Sequence, residues 1–318
     1  MDNLCHTLVG AACGEAGLKR RTGLGNVTLM IAANLPDVDV LVFATDIPSV
    51  AFRRGWTHGV LAQALLPIAL AAAMTLVSRC RNGDRRRRSP GGQRATDARG
   101  AGRQDCAFGQ LLLLSYIGIF THVGLDWLNN YGVRLLMPFS GRWFYGDSVF
   151  ILDPWLWATL GLGVWLARRW TRVQPARIAL AVAALYIGAM VLSARGARVI
   201  VIERWRAAQG SEPRALMVGP APLTPFRRVV VVDAGDRYET GTFSWFPPRV
   251  RFDPGAIPKG DNEPAVIEAR ATDRRIRAVL VWARFPYFTV EPAGRATRVT
   301  VRDVRFGDRV GGVSAEVR

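Results

Sequence analysis

The run GVLAQALLPIALAAAMTLV, residues 59–77, contains 19 residues and no charge. About 20 helical residues cross the roughly 30 Å hydrocarbon core of a bilayer. Inside hydrocarbon every backbone N–H and C=O must be paired within its own segment, so a stretch of this kind predicts a spanning helix. Gln63 and Pro67 interrupt it only mildly. Three more segments share the character: 108–128, 154–167 (short unless Phe150 to Leu152 join it) and 178–194. Residues 3–17, NLCHTLVGAACGEAG, are apolar and rich in small side chains, which suits a short helix packed closely on its neighbours. Residues 24–45, LGNVTLMIAANLPDVDVLVFAT, also read as apolar but carry Asn34, Pro36, Asp37 and Asp39. A plain lipid-facing span does not hold two aspartates and a proline. A broken or bundle-buried helix does, with the break opening backbone groups and carboxylates to a polar cavity.

The net charge is +17, almost all of it from arginine. Such a charge suits nucleic acid. The arginines, however, concentrate in connections between apolar segments, as the positive-inside rule expects, so nucleic-acid binding is the weaker reading. Residues 79–106 are Arg- and Gly-rich and nearly free of apolar side chains, which predicts a disordered loop. Its RRRR at 85–88 suits anionic lipid or nucleic acid, with a cytoplasmic topology determinant as the plainer role. Cys5, Cys13, Cys80 and Cys106 form no CxxC pair, and the first two lie eight apart, too far to bridge on one helix. The N-terminus lacks the basic region and cleavage site of a secretory signal.

From Arg195 the pattern changes. RVVVVDAG (228–235), AVIEARA (265–271), IRAVLVWARF (276–285), YFTVEP (287–292) and RVTVRDVRF (298–306) are β-branched or alternating, and Pro, Gly and Asp turns separate them. They predict strands of a small antiparallel β domain, a sandwich being one arrangement. The fold expected is therefore an all-α polytopic membrane domain over 1–195, followed by a small mainly-β domain over 196–318.

The chain has three histidines, His6, His58 and His122, each beside an apolar segment. Asp126 follows His122 by four residues, one turn along the same helix face. An ionisable pair at the end of a membrane-length segment is a functional candidate because burying it is costly. Placing loop 79–106 in the cytoplasm fixes the direction of every segment. His6, His58, His122, Asp37, Asp39 and Asp126 then all fall toward the outer face, as does the β domain. Three imidazoles and several carboxylates at one depth suit a divalent metal such as zinc. Such ions activate water and stabilise an in-line displacement at phosphorus. Asn34, Asn129 and Asn130 could orient ligands, and Arg53, Arg54 or Arg142 could grip a phosphate. Plainer roles stand beside these. A lone intramembrane histidine is as readily a packing residue, His58 beside Arg53 and Trp56 an interfacial anchor, and His122 with Asp126 a structural pair. One of Asp37 and Asp39 is explained by helix termination or capping. Asp147 and Asp153 suit caps, with Asp153–Pro154 a good N-cap and N1 pair. The arginines suit lipid headgroups.

The ordered motifs DNLCHTLVG, NLPDVD, RGWTH, THVGLDWLNNYG, MPFSGRWFYGD and FILDP resemble the YdjM-like family of membrane-bound metal-dependent hydrolases over roughly residues 1–195. The resemblance implies a multi-pass protein of the bacterial inner membrane, with ligand-like roles for His6, Asp37 or Asp39, His58, His122 and Asp126. The order His, Asp, His, then His-x-x-x-Asp is also similar to the zinc-dependent phospholipase C and single-strand nuclease superfamily. There one aspartate bridges two metals, and Asp126 matches it. No histidine follows His122, which favours one or two metals over three. The expected function is hydrolysis of a phosphoester, lipid-linked or not, by metal-activated water. His6, Asp37, His58, His122 and Asp126 bind zinc or manganese, Asp39 is a ligand or general base, and Arg53 or Arg142 holds the phosphate. Membrane lipids and the phosphoester are the expected partners. The alternative is a non-enzymatic scaffold or regulator that binds a protein through loop 79–106 or the β domain; family descriptions include a DNA-damage repressor. A transporter fits less well, since the motif residues gather at one face and not at the midplane.

Overall fold

The computed structural model describes residues 1–88, 107–307 and 312–317. The chain divides into two compact units. The first comprises Met1–Asp39 and Arg54–Ala189, and the second Val40–Arg53 and Met190–Arg318.

The first unit is helical. It contains α1 (Asn3–Glu15), α2 (Gly25–Ala32), α4 (Val60–Arg88), α5 (Phe108–Trp127), α6 (Pro154–Trp170) and the first part of α7 (Gln174–Gln209). The short α3 (Ser49–Phe52) belongs to the second unit. Among the described residues three helical stretches are long and apolar enough to cross a membrane: Val60–Arg81, Phe108–Trp127 and α7. The segment expected to be broken is broken. α2 meets the 3₁₀ helix Leu35–Ala44 at a bend of 51°, and the two together make a fourth candidate span. Pro36 is the cause: it has no N–H to give the Ala32 carbonyl and disfavours helix at the residue before it. The Asp37 amide then bonds to the Asn34 carbonyl at 3.1 Å instead of continuing the α-helical ladder to Ala33.

The connection after α4 differs from expectation. Composition predicts a basic loop from residue 79, yet α4 continues through Arg88. Arginine is a good helix former, so charge alone does not end a helix. Residues 89–106, the rest of that loop, lie outside the described residues. At α6 the expected cap holds: Asp153 accepts the amides of Trp155 and Leu156, and Pro154 occupies the first turn.

Close helix packing rests on small residues, as in membrane bundles generally. A Cβ at Gly118 of α5 would overlap the Ala32 Cβ and lie 2.9 Å from the Ala33 nitrogen. Around this approach Ala32, Leu70, Ala71, Leu111, Ile119 and Val123 form a buried apolar cluster. Gly118→Ala is expected to lower unfolding stability by about 1–3 kcal/mol, the usual cost of overpacking. Denaturation in detergent, monitored by circular dichroism, checks it; an unchanged midpoint would show that α5 can shift freely. Gly118 lies one turn before His122, so this approach also seats the site.

At the far end of α1 from His6, Glu15 pairs with Lys19 and with Arg168 Nε at 3.0 Å. Arg177 Nε donates to the Ala16 carbonyl at 2.9 Å. Lys19, Arg168 and Arg177 thus gather at one end of α1.

The second unit holds two antiparallel sheets. The first contains β1 (Ala215–Ala221), β2 (Thr224–Asp233), β3 (Arg237–Trp245) and β4 (Pro248–Phe252) in that order, with β5 (Ile257–Pro258) also on β3. The second runs β6 (Pro286–Ala293), β7 (Ala296–Asp303) and β8 (Val313–Val317). Residues 228–235, 287–292 and 298–306, expected as strands, fall largely in β2, β6 and β7. Residues 265–271 and 276–285 do not. They form α8 (Pro264–Thr272) and, up to Trp282, α9 (Arg274–Trp282). Their buried positions repeat at three, Val266 with Ala269 and Ile276 with Val279, which is a helical face and not a pleat. Asp273 supplies the local signal, accepting the Arg275 and Ile276 amides as the N-cap of α9. Both helices pack on Phe288, Val299 and Val301 of the second sheet. The first sheet packs Val218, Val230 and Phe243 on Ala197, Val201 and Trp205 of α7. The unit is therefore sheet and helix together.

Candidate metal centre

Asp37, His58, His122 and Asp126 are buried and offer four ligand atoms that all lie within 4.8 Å of one another. Their sources are distant in sequence. Asp37 comes from the 3₁₀ helix after the Pro36 break, His58 from the turn before α4, and His122 and Asp126 from the last turns of α5. The His58 and His122 Nε2 atoms are 3.2 Å apart. Asp126 Oδ2 lies 3.3 Å from the first and 3.6 Å from the second. Asp37 Oδ1 is 3.9 Å from each.

The tautomers of both rings follow from what their other nitrogens meet. His122 Nδ1 lies 2.7 Å from the Ala33 carbonyl, which can only accept. The proton is therefore on Nδ1, and Nε2 presents a lone pair. This carbonyl is available because the helix breaks just beyond it. At His58, Nδ1 is 3.0 Å from Thr57 Oγ1, whose own proton goes to Asp39 Oδ2 at 3.2 Å. The hydroxyl accepts from Nδ1–H, and Nε2 again presents a lone pair. Burial pushes the His58 pKa below the usual histidine range, which favours the neutral ring that can ligate, while the Asp126 carboxylate opposes that shift.

Two lone pairs facing each other at 3.2 Å repel unless a cation lies between them. Two nitrogens bound at about 2.0–2.1 Å to one tetrahedral ion stand about 3.3 Å apart. Asp126 Oδ2 is buried with no hydrogen-bond partner among the described residues. An acceptor left so is costly, and a metal ion satisfies it. The residues present thus fit a divalent ion, and they are nitrogen and oxygen donors of the kind zinc and manganese both take.

The neighbours hold the cluster in place. Asp126 Oδ1 accepts from the Met1 amino group and from Arg54 Nη2 at 3.3 Å. The Arg54 guanidinium also donates to Asn129 Oδ1 at 3.2 Å and lies over the Tyr131 ring. Its amide donates to Asp39 Oδ2 at 2.7 Å. Arg54 has a φ of 53°, a left-handed conformation uncommon outside glycine, and that turn directs amide and guanidinium to two different carboxylates. His6 is buried and stacks on His122 with ring centroids 3.8 Å apart. Its Nε2 is 3.4 Å from Asp126 Oδ1, at the edge of the group of four.

Arg53 and Arg142, the arginines assigned to phosphate from the sequence, lie over the rings of Phe43 and Phe144. Among the three arginines considered, Arg54 is the one bonded to Asp126. Asp39 sits behind His58. Sequence reasoning missed Thr57, although its place beside His58 was the available signal. Thr57→Val keeps the volume and removes the bridge from His58 to Asp39. Changing such an orienting partner weakens metal affinity by about 10–100-fold. A zinc competition titration measures it, and unchanged affinity would show that Thr57 does not orient the ring.

A family model described as YdjM inner membrane protein matches residues 1–197. The chain belongs to the YdjM inner membrane protein family. No curated protein and no solved structure matches the chain. The YdjM match contains all four residues of the cluster, along with Arg54, Thr57 and His6, and ends within α7. The sheets of this YdjM member lie beyond the matched residues.

Proposed function

We propose that this chain is a multi-pass membrane hydrolase whose metal centre cleaves a lipid-linked phosphoester near the extracytoplasmic face. The observation that carries the reading is the approach of the His58 and His122 Nε2 atoms to 3.2 Å beside an Asp126 Oδ2 that has no hydrogen-bond partner among the described residues. When bound, a divalent ion supplies Lewis acidity toward a phosphoryl oxygen and makes water a nucleophile near neutral pH. Asp37, His58, His122 and Asp126 hold it. Arg54, fixed by Asp126 and Asn129, presents a guanidinium to the phosphate. Asp39 positions His58 through Thr57 and is spent on that task and on the Arg54 amide. Orientation follows from charge: Lys19, Arg168 and Arg177 meet at the helix ends opposite His6, which supports a cytoplasmic placement there.

A lipid-linked substrate is supported by a cavity of 390 Å³ with almost wholly apolar walls. Cys5, Thr121, Gly124, Leu125, Leu156 and Leu160 contribute to its lining. Cys5, Thr121 and Leu125 are the immediate chain neighbours of His6, His122 and Asp126, so an acyl chain there lies beside the cluster. Gly124 faces open space, since a Cβ added to it meets nothing within 4 Å. The test uses detergent-purified, zinc- or manganese-loaded full-length protein and follows phosphate release. Lipid-linked phosphoesters are hydrolysed, and His122→Ala falls to background. Gly124→Leu raises KM for the lipid-linked substrate and leaves a short soluble phosphoester unaffected. Stoichiometric metal with no turnover of any phosphoester would overturn the reading in favour of a non-enzymatic scaffold.

A further inference from the structure

Two adjacent turns of the second unit carry their largest apolar side chains outward. Leu223 in the β1–β2 turn is 71% exposed, and Phe246 in the β3–β4 turn is 76% exposed. Phe226, at the start of β2, is 54% exposed, and its ring meets the Phe246 ring edge-on at 5.3 Å between centroids. Leu223 has a φ of 63°, a conformation that glycine or asparagine adopts far more readily. A leucine in that position, pointing into water, breaks both the local backbone preference and the burial rule. Both departures are explained if the surroundings of the tip are not water.

The contacts of the same turns with α7 give the depth. Trp245 Nε1 donates to Ser193 Oγ at 2.7 Å. The fully buried Arg228 donates to the Met190 carbonyl at 2.8 Å and to Ser193 Oγ at 3.3 Å. Met190 and Ser193 lie inside the apolar stretch of α7, whose first following charge is Arg195. The five residues from Met190 to Arg195 rise about 7.5 Å along a helix, within the roughly 5–10 Å by which interfacial elements enter a bilayer. Strand register adds a second interfacial mark. Arg227 pairs with Ser244, and Ser244 with Arg249, so two exposed arginines stand in the row next to the tip. Apolar tip and cationic row together are the order of acyl boundary and headgroup.

We infer that Leu223, Phe226 and Phe246 form a tip that inserts into the interfacial layer of the bilayer beside α7, anchoring the sheet unit to lipid. The anchor is independent of the metal reading and rests on α7 entering the membrane. The test labels single cysteines with an environment-sensitive fluorophore in full-length protein, its native cysteines replaced by alanine. The labelled protein is reconstituted in phosphatidylethanolamine–phosphatidylglycerol vesicles containing spin-labelled lipid. Probes at Leu223→Cys and Phe246→Cys show blue-shifted emission and at least twofold lipid quenching. A probe at Asp236→Cys, exposed in the turn at the other end of β2, shows neither. Quenching at Leu185→Cys of α7 but not at the two tip positions overturns the tip while leaving the span. Absence of quenching at all of these positions overturns both. A blue shift at the tip without lipid quenching assigns it to a protein contact and also overturns the proposal.

Discussion

Asp126→Asn lowers zinc affinity by more than 100-fold while the helices remain folded. Changes to groups that merely orient a ligand cost about 10–100-fold, and Asp126 supplies a donor atom itself. Its Oδ2 stands 3.3 and 3.6 Å from the two imidazole nitrogens. Asparagine keeps the side-chain volume and still offers one oxygen, but it removes the negative charge that stabilises a dication between two neutral imidazoles. A competition titration against a chromophoric chelator, with circular dichroism as the folding control, gives the result. Affinity within threefold of the wild type would remove Asp126 from the centre.

Asp303→Ala in the second unit destabilises it by about 3–5 kcal/mol, the cost of breaking a buried ion pair from one side. Asp303 and Arg305 are both buried. Asp303 Oδ2 accepts the Arg284 amide at 2.7 Å and Arg305 Nη2 at 2.8 Å, and Oδ1 accepts the Arg305 amide at 2.9 Å. Alanine removes the carboxylate from the guanidinium and both amides at once, leaving Arg305 Nη2 its bond to the Trp282 carbonyl at 3.2 Å. Replacing the ionic partners together, Asp303→Leu with Arg305→Met, costs less than the single change, since apolar residues of similar volume remove the uncompensated charge. Urea titration compares the two, and a single variant within about 1 kcal/mol of the wild type would show that the pair contributes little.

Four of the five residues expected to ligate, all but His6, fall in the buried cluster, and they are legible in the sequence for a physical reason. Histidine and aspartate are costly beside membrane-length apolar runs, so His58, His122, Asp37 and Asp126 stand out from their surroundings by residue type alone. The Pro36 break is legible too, because proline cannot donate to the helix ladder. The connections among these residues are not. Arg53 and Arg54 are chemically identical neighbours, and only the left-handed backbone at Arg54 turns its guanidinium toward Asp126. Asp37 and Asp39 flank one residue, and the Thr57 hydroxyl that engages Asp39 is brought to it only by the fold. Residues 265–271 and 276–285 are apolar runs too short for periodicity to decide between strand and helix. The Asp273 cap is the better guide there. The exposed tip at Leu223 and Phe246 leaves no sequence signal, since a single apolar residue in a turn is ordinary until its neighbours are known.

Asp37, His58, His122 and Asp126 are buried together with ligand atoms that could hold one metal ion, and the X-ray absorption spectrum of the zinc-reconstituted protein tests the proposed four-donor centre most directly. The predicted spectrum has a nitrogen and oxygen shell at about 2.0–2.1 Å with the multiple-scattering pattern of two imidazoles. A sulfur shell at about 2.3 Å would instead bring in a cysteine, and the absence of stoichiometric zinc would leave no centre at all; either result contradicts the four-donor site.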